Sequence, residues 1–221
     1  MQRLPDSYFD DMYAVANDPW QLADRWYEDR KYAITMAMLP HARYRHAFEP
    51  GCSIGVLTEK LVDRCDHVTA CDVAQAALDA TQERAGARQN LVLRRSSLDA
   101  DWPSDDFDLV VLSEVAYYLS AETLRRVLDQ ECARLAAGTT IIAAHWRHRV
   151  ADYPLSGDEA NALIRATSDL SELARYWDDD VVIDVLAKGM TQSVAARTGV
   201  PGAGERTSGS SPAGGGCGAD E

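Results

Sequence analysis

Five short segments that read as strands, each followed by a stretch of different periodicity, constrain this chain more than any other feature. They fall at 44–49, 67–72, 91–95, 107–113 and 139–144. The fourth, FDLVVLS, lacks polar alternation through its centre, as a strand buried on both faces must. Between the runs, 56–65 places apolar side chains at 57, 61, 62 and 65, and the alanine-rich stretch 74–85 ends at Gly86. Ser120 opens a helix whose Leu124, Val127, Leu128 and Leu135 form one stripe before Gly138. Strands alternating with helices predict an α/β fold, a mostly parallel sheet with right-handed crossovers. Upstream, Asp18-Pro19 reads as an N-cap with proline at the first helical position, and apolar residues continue to Leu39-Pro40, giving one long or two short helices. Downstream, 158–167 reads as a helix. The segments 173–177 and 181–186 read as an antiparallel hairpin around Asp178-Asp179-Asp180.

Charge narrows the function. With 35 Asp and Glu against 22 Lys and Arg, the net charge of −13 argues against nucleic-acid partners and anionic membrane surfaces. The N-terminus has no apolar signal core, and the longest uncharged stretch, 135–146, is too short to span a bilayer, so a cytoplasmic protein is expected. Five cysteines with no C-x-x-C pair suggest neither a disulfide framework nor zinc, and His145 and His148 lack carboxylate or thiolate company at ligand spacing. No metal is expected. From 198 to 221 the chain turns to Gly, Ala, Ser, Thr and Pro, with 8 of its 14 glycines. A domain over 1–190 followed by a disordered tail over 191–221 is the expected organisation.

Ligands of parallel sheets bind beyond the carboxyl ends of the strands. There, Gly51 and Gly55 sit in a strand-to-helix turn that lets a ligand approach the backbone. A dinucleotide fingerprint would need glycine at 53 and 56 as well, where Ser53 and Val56 stand, so a nicotinamide dehydrogenase loses ground to a protein binding a smaller nucleoside. Asp72 follows Gly55 by 17 residues, at the end of the second strand. Its carboxylate suits both ribose hydroxyls, and it equally suits the cap of the helix beginning near Ala74.

The segment Glu49-Pro50-Gly51-Cys52-Ser53-Ile54-Gly55 resembles a relaxed form of the first motif of class I S-adenosylmethionine-dependent methyltransferases. More narrowly, DPWQLADRWYEDRKYA (18–33), FEPGCSIGVLTEKLVDRCD (48–66), WPSDDFDLVVLSEVAYYL (102–119), AAHWRH (143–148) and YPLSGDEA (153–160) resemble the nodulation protein S (NodS) family. The resemblance covers about 8–188 and implies a Rossmann-like, seven-stranded methyltransferase fold with an N-terminal helical cap over about 8–40. It implies S-adenosyl-L-methionine as cofactor and N-methylation of a deacetylated chitin oligosaccharide. By the same resemblance, Gly51 makes room for the methionine part, Asp72 holds the ribose, Ser97 and Leu98 contact the adenine, and Ser113 faces the methionine side. Ser96 stands where an acid is common. Trp20 and Arg30 fall in the cap, Arg30 pairing either with the methionine carboxylate or with a surface acid.

Glu114, Tyr117, Tyr118 and His145 are expected at the ends of strands four and five. An amino-sugar nitrogen titrates near an α-amino group, about 8, so leaving it neutral at pH 7 costs on the order of 1 kcal/mol. Positioning should therefore outweigh proton abstraction. Glu114 either orients the ammonium or accepts its proton, with His145 a second candidate base and the tyrosines an aromatic face for the sugar or the cation. The bland roles are a helix cap for Glu114, a satisfied core histidine, and a core tyrosine. The rivals are a methyltransferase of another small N- or O-acceptor and a non-catalytic cofactor-binding protein.

Overall fold

Each predicted strand forms in the computed structural model, which describes residues 3–190 and 192–203. In chain order the strands are β1 (Tyr44–Pro50), β2 (Cys65–Asp72), β3 (Leu91–Arg95), β4 (Leu109–Ser113), β5 (Thr140–Trp146), β6 (Leu170–Trp177) and β7 (Val181–Lys188). They make one sheet in the order β3-β2-β1-β4-β5-β7-β6. The first five are parallel, and β7 runs antiparallel to both β5 and β6.

Period two along β4 divides the core. Leu109 and Val111 face a cluster that includes Leu57, Leu61, Val68 and Ile142, whereas Val110 and Leu112 face one that includes Phe48, Leu128, Ile141 and Ile164. Helices α3 (Val56–Arg64) and α4 (Gln75–Ala85) cover the first face; α5 (Ala121–Arg134) and α6 (Gly157–Arg165) cover the second. Ser120 caps α5 by accepting from Thr123 N–H. Ser156 and Glu159 form a reciprocal capping box on α6.

The largest departure from expectation lies at the N-terminus. Asp18 does not open a helix: its two carboxylate oxygens accept from the backbone N–H groups of Leu22 and Ala23 and close a turn, in which Gln21 has φ 56°. Helix α2 begins only at Trp26 and runs to Met38, and a separate helix α1 (Asp6–Val15) precedes the turn. Phe107 also stays outside β4. Its ring stacks on Phe48 at 5.1 Å, which anchors the strand's entrance.

Contacts divide the chain into a unit Met1–Thr191 and a unit Gln192–Glu221. Residues 192–203 of the expected tail include a four-residue helix, Val194–Arg197, and the rest of that tail, residue 191 and 204–221, lies outside the described residues.

The sheet order reverses between β1 and β4, which opens a crevice at their carboxyl ends. The turn after β1 is held by Gly55, at φ +79°, where a Cβ would lie 2.8 Å from Thr81 Cγ2 and 3.0 Å from Thr81 Cα. Gly55→Ala should therefore lower stability by about 1–3 kcal/mol through combined backbone strain and overpacking, read as a drop in the urea midpoint with unchanged slope.

Candidate active site

At the crevice lies a cavity of about 340 Å³, within the usual range for small-molecule sites. Its wall is built from the segments that follow β1 to β5, together with α1, α2 and the turn between them.

The half beyond β1, β2 and β3 starts from the glycine turn. Gly51 and Cys52 both donate their N–H groups to Cys71 O, at 2.7 and 2.9 Å, which ties the turn to β2. Gly51 has φ +76°, and a Cβ there would meet Val115 Cγ2 at 2.8 Å. Asp72 accepts from Ser53 N–H through Oδ2 and from Ala74 N–H through Oδ1, both at 3.0 Å. Asp72 thus closes a turn just ahead of α4 and does not cap that helix, whose N-cap Ala74 has no side-chain cap bond, and the same carboxylate lines the cavity with lone pairs remaining on each oxygen. Burial raises its pKa, against the pull of these backbone donors. Ser96, Ser97 and Leu98 line the wall beyond β3, Leu98 as an apolar surface. Tyr13 of α1 closes over the turn with its hydroxyl 2.6 Å from Ser53 Oγ, and it meets Trp20 edge-on.

Glu49, the first residue of the motif, was given no site role of its own by the sequence. It is buried in the same wall with one hydrogen-bond donor, the Thr58 hydroxyl at 2.7 Å, and burial pushes its pKa up to about 8. The available signal was an acid following Ala47 and Phe48 at the end of the strand, immediately before the glycine turn.

The half beyond β4 and β5 centres on Glu114. This non-glycine residue has φ 53°, a conformation that must be held in place. Its N–H donates to Ala144 O at 2.9 Å. Its Oε2 accepts from the Tyr117 hydroxyl at 2.6 Å and from Trp146 N–H at 2.9 Å, and its Oε1 lies 2.7 Å from Lys31 Nζ. Burial would raise its pKa, but the Lys31 charge leads a set of neighbours that hold it below the usual carboxylate value. Such a group serves as a fixed negative charge rather than as a base. Tyr117 and Tyr118 occupy a 3-10 turn, Ala116–Tyr118, pack against Tyr153, and both line the cavity, as does Ser113.

Three expected site residues stand apart. His145 is fully buried and outside the cavity wall: its Nε2 accepts from Ala116 N–H at 3.1 Å, which leaves Nδ1–H to donate to Asn161 Oδ1 at 2.6 Å. Burial lowers its pKa, so it is a neutral pin beneath the 3-10 turn instead of a base facing an acceptor. Arg30 projects away from the cavity to Asp178, at 2.7 Å, and to the Tyr176 hydroxyl. The arginine of this segment in the cavity wall is Arg25, its Nε 3.2 Å from Gln21 Oε1. Gly55 shapes the turn without lining the cavity.

These residues fit the implied cofactor: a glycine without side-chain bulk, a carboxylate for vicinal hydroxyls, an apolar leucine beside two serines for a base, and an arginine for a carboxylate. Among the described residues, no His, Cys, Asp and Glu group is arranged to hold a metal, and no helix is long and apolar enough to cross a membrane.

Comparison with known proteins gives a consistent picture. The family model for Nodulation protein S (NodS) matches residues 10–190. Nodulation protein S of Rhizobium tropici is 33% identical over 106 residues, 48% of this chain and 44% of the relative. That of Bradyrhizobium diazoefficiens is 32% identical over 106 residues, covering 48% and 51%. The chain spans about half the length of these relatives. Among solved structures, N-methyltransferase NodS from Bradyrhizobium japonicum in complex with S-adenosyl-L-homocysteine superposes with a TM-score of 0.75 at 21% identity, covering 84% of this chain and 99% of that one. A putative methyltransferase from Pseudomonas syringae is 35% identical, with a TM-score of 0.63 and coverage of 74% and 99%.

Glu49 makes a test of the site's electrostatics possible. Its folded pKa of about 8 stands above the ordinary 4.5, so over that window the folded protein keeps a proton that the unfolded chain releases. Stability should fall as pH rises from about 4.5 to about 8 and level off above. Glu49→Gln should remove this slope, stabilising the cofactor-free protein by at least about 1 kcal/mol at pH 8 with little change at pH 4.5, measured by urea unfolding at both pH values.

Proposed function

The chain belongs to the NodS family, and we propose on that premise that it is an S-adenosyl-L-methionine-dependent N-methyltransferase whose acceptor is the free amine of a deacetylated chitin-type oligosaccharide. The observation that carries this reading is the single cavity in which a nucleoside-binding half, around Gly51 and Asp72, adjoins a half built around Glu114, Tyr117 and Tyr118.

When bound, the cofactor supplies an electrophilic methyl group on a sulfonium. The chain's own residues then have three tasks. Asp72 holds the ribose hydroxyls, Gly51 lets the methionine part lie against the backbone, and Arg25 takes the methionine carboxylate in place of the arginine expected at position 30. Phe9, Tyr13 and Trp20 roof the cavity and exclude water, which would otherwise compete for the methyl group. Glu114 orients the acceptor nitrogen as a fixed charge, and the rings of Tyr117 and Tyr118 give the sugar an apolar face. No strong base is required, because bringing an amine of pKa about 8 to its neutral form at pH 7 costs only on the order of 1 kcal/mol. Proton release to solvent completes the reaction.

Calorimetric titration with S-adenosylhomocysteine tests the cofactor half. Asp72→Ala should weaken binding by at least about tenfold, the loss of charge-assisted hydrogen bonds to two hydroxyls. Arg25→Ala should weaken it by about three- to tenfold, whereas Arg30→Ala should leave it within about twofold. Equal losses at positions 25 and 30 would refute the assignment of Arg25. For the acceptor, labelled methyl transfer to deacetylated chitin oligomers should exceed transfer to polyamines and phenols. Silence of the sugars beside a reactive phenol would refute the proposed substrate.

A further inference from the structure

Lys31 is a buried lysine placed between two carboxylates, of which the proposed mechanism uses only Glu114. Its side chain is 1% exposed, and Nζ lies 2.7 Å from Glu114 Oε1 and 2.7 Å from Glu28 Oε2. The two pairs differ. Toward Glu114 the ammonium makes a hydrogen bond; toward Glu28 it makes an ion pair without hydrogen-bond alignment, so the buried Oε2 atom of Glu28 receives no hydrogen bond. The Tyr27 hydroxyl is likewise buried without a hydrogen-bond partner. Lys31, Glu28, Glu114 and Tyr27 all line the cavity, and Glu114 places the cluster at its β4–β5 side, away from Asp72.

Two carboxylates and one ammonium sum to a formal charge of −1. We infer that Lys31 is a positioning residue shared between Glu114 and Glu28, and that the net negative charge of this trio makes the site favour amine acceptors over hydroxyl acceptors. The inference rests on the methyltransferase reading and deepens it. As an amine nitrogen forms its bond to the methyl carbon, the carbon–sulfur bond breaks with its electron pair left on sulfur. One positive charge thereby moves onto nitrogen, and an N–H proton later leaves to solvent. A negative site beside the nitrogen is stabilised by that arriving charge, so the gain is larger in the transition state than in the ground state. A phenolate acceptor behaves oppositely, because it brings a negative charge to the same place and loses it during transfer.

The surrounding groups support this arrangement. Glu28 faces Lys31, Tyr27, Tyr32 and Glu114; Glu114 faces Lys31, Tyr117, Tyr118, His145 and Tyr27. Of these only Lys31 is cationic at neutral pH, since burial lowers the pKa of His145. Burial opposes the charge on Lys31, and the two carboxylates outweigh burial and raise its pKa. Glu28 moves the other way from Glu114: burial raises its pKa more than Lys31 draws it down.

The experiment compares the full-length wild type with Glu28→Gln, Lys31→Met and Lys31→Arg. The acceptors are a fully deacetylated chitin dimer and a simple phenol, with S-adenosylhomocysteine calorimetry to verify an intact cofactor site. Glu28→Gln should lower kcat for the amine about tenfold with KM within about threefold, and narrow the preference for amine over phenol. Lys31→Met leaves two adjoining carboxylates to share a proton, so its kcat/KM at pH 7 should fall about tenfold. The ratio of this variant to wild type should rise with pH; taking the ratio cancels the acceptor's own titration. Lys31→Arg should restore most activity and a flat ratio. A flat ratio for Lys31→Met, or an unchanged kcat for Glu28→Gln, overturns the inference, and Glu28→Gln decides alone if Lys31→Met does not fold. Failure of the wild type to methylate the amine overturns the underlying function instead, a result distinct from an active enzyme indifferent to these substitutions.

Discussion

A lysine taken almost wholly out of water determines how the N-terminal helices meet the sheet. Lys31 cannot remain charged in that position without partners, and it has two carboxylates within ion-pair distance. One of them, Glu114, sits at the end of β4 in a backbone conformation that a non-glycine residue avoids. The strain persists because four contacts converge on that one residue, from Ala144, Trp146, Tyr117 and Lys31. Helix α2 is thereby fixed over the carboxyl ends of the strands, and the cavity acquires its roof from the same interaction that sets its charge.

The sheet was legible in the sequence because strands buried on both faces run apolar over several residues, while the helices between them place apolar residues at a longer spacing. FDLVVLS could only be a central strand, and β4 does stand between β1 and β5. The N-terminus obeyed no such rule. Asp18-Pro19 has the chemistry of a helix start, but the carboxylate found its backbone donors within a turn, a competition that aspartate wins as readily as it caps helices. Ion pairs were illegible for a related reason. Glu28 and Lys31 stand three apart in the run EDRK, which reads as a solvated helix face, and nothing local announces that this face is turned toward Glu114, 83 residues away.

The same ambiguity governs which polar residues enter the cavity. Arg25 and Arg30 are equivalent by composition; only the start of α2 at Trp26 sends one toward the cavity and the other toward the β6–β7 turn at Asp178. His145 and Trp146 are neighbours on β5, and alternation puts them on opposite sides. Trp146 lines the cavity, and His145 goes beneath the 3-10 turn, where Asn161 fixes its tautomer. A histidine at the end of a strand is thus a poor guide to a base until the phase of that strand is known.

Three acids in the wall then separate by environment alone. Burial raises the pKa of Asp72 against the pull of two backbone N–H donors, an ammonium and a tyrosine hold that of Glu114 down, and Glu49, with one hydroxyl and no cation, retains a proton to about pH 8. Carboxyl groups with well-separated proton affinities are suited to different partners. The charged Asp72 suits hydroxyl donors, and the charged Glu114 suits a nitrogen that becomes positive. Glu49 keeps its proton until about pH 8. The division of charge that the proposed reaction would use is thus built into the ends of β1, β2 and β4.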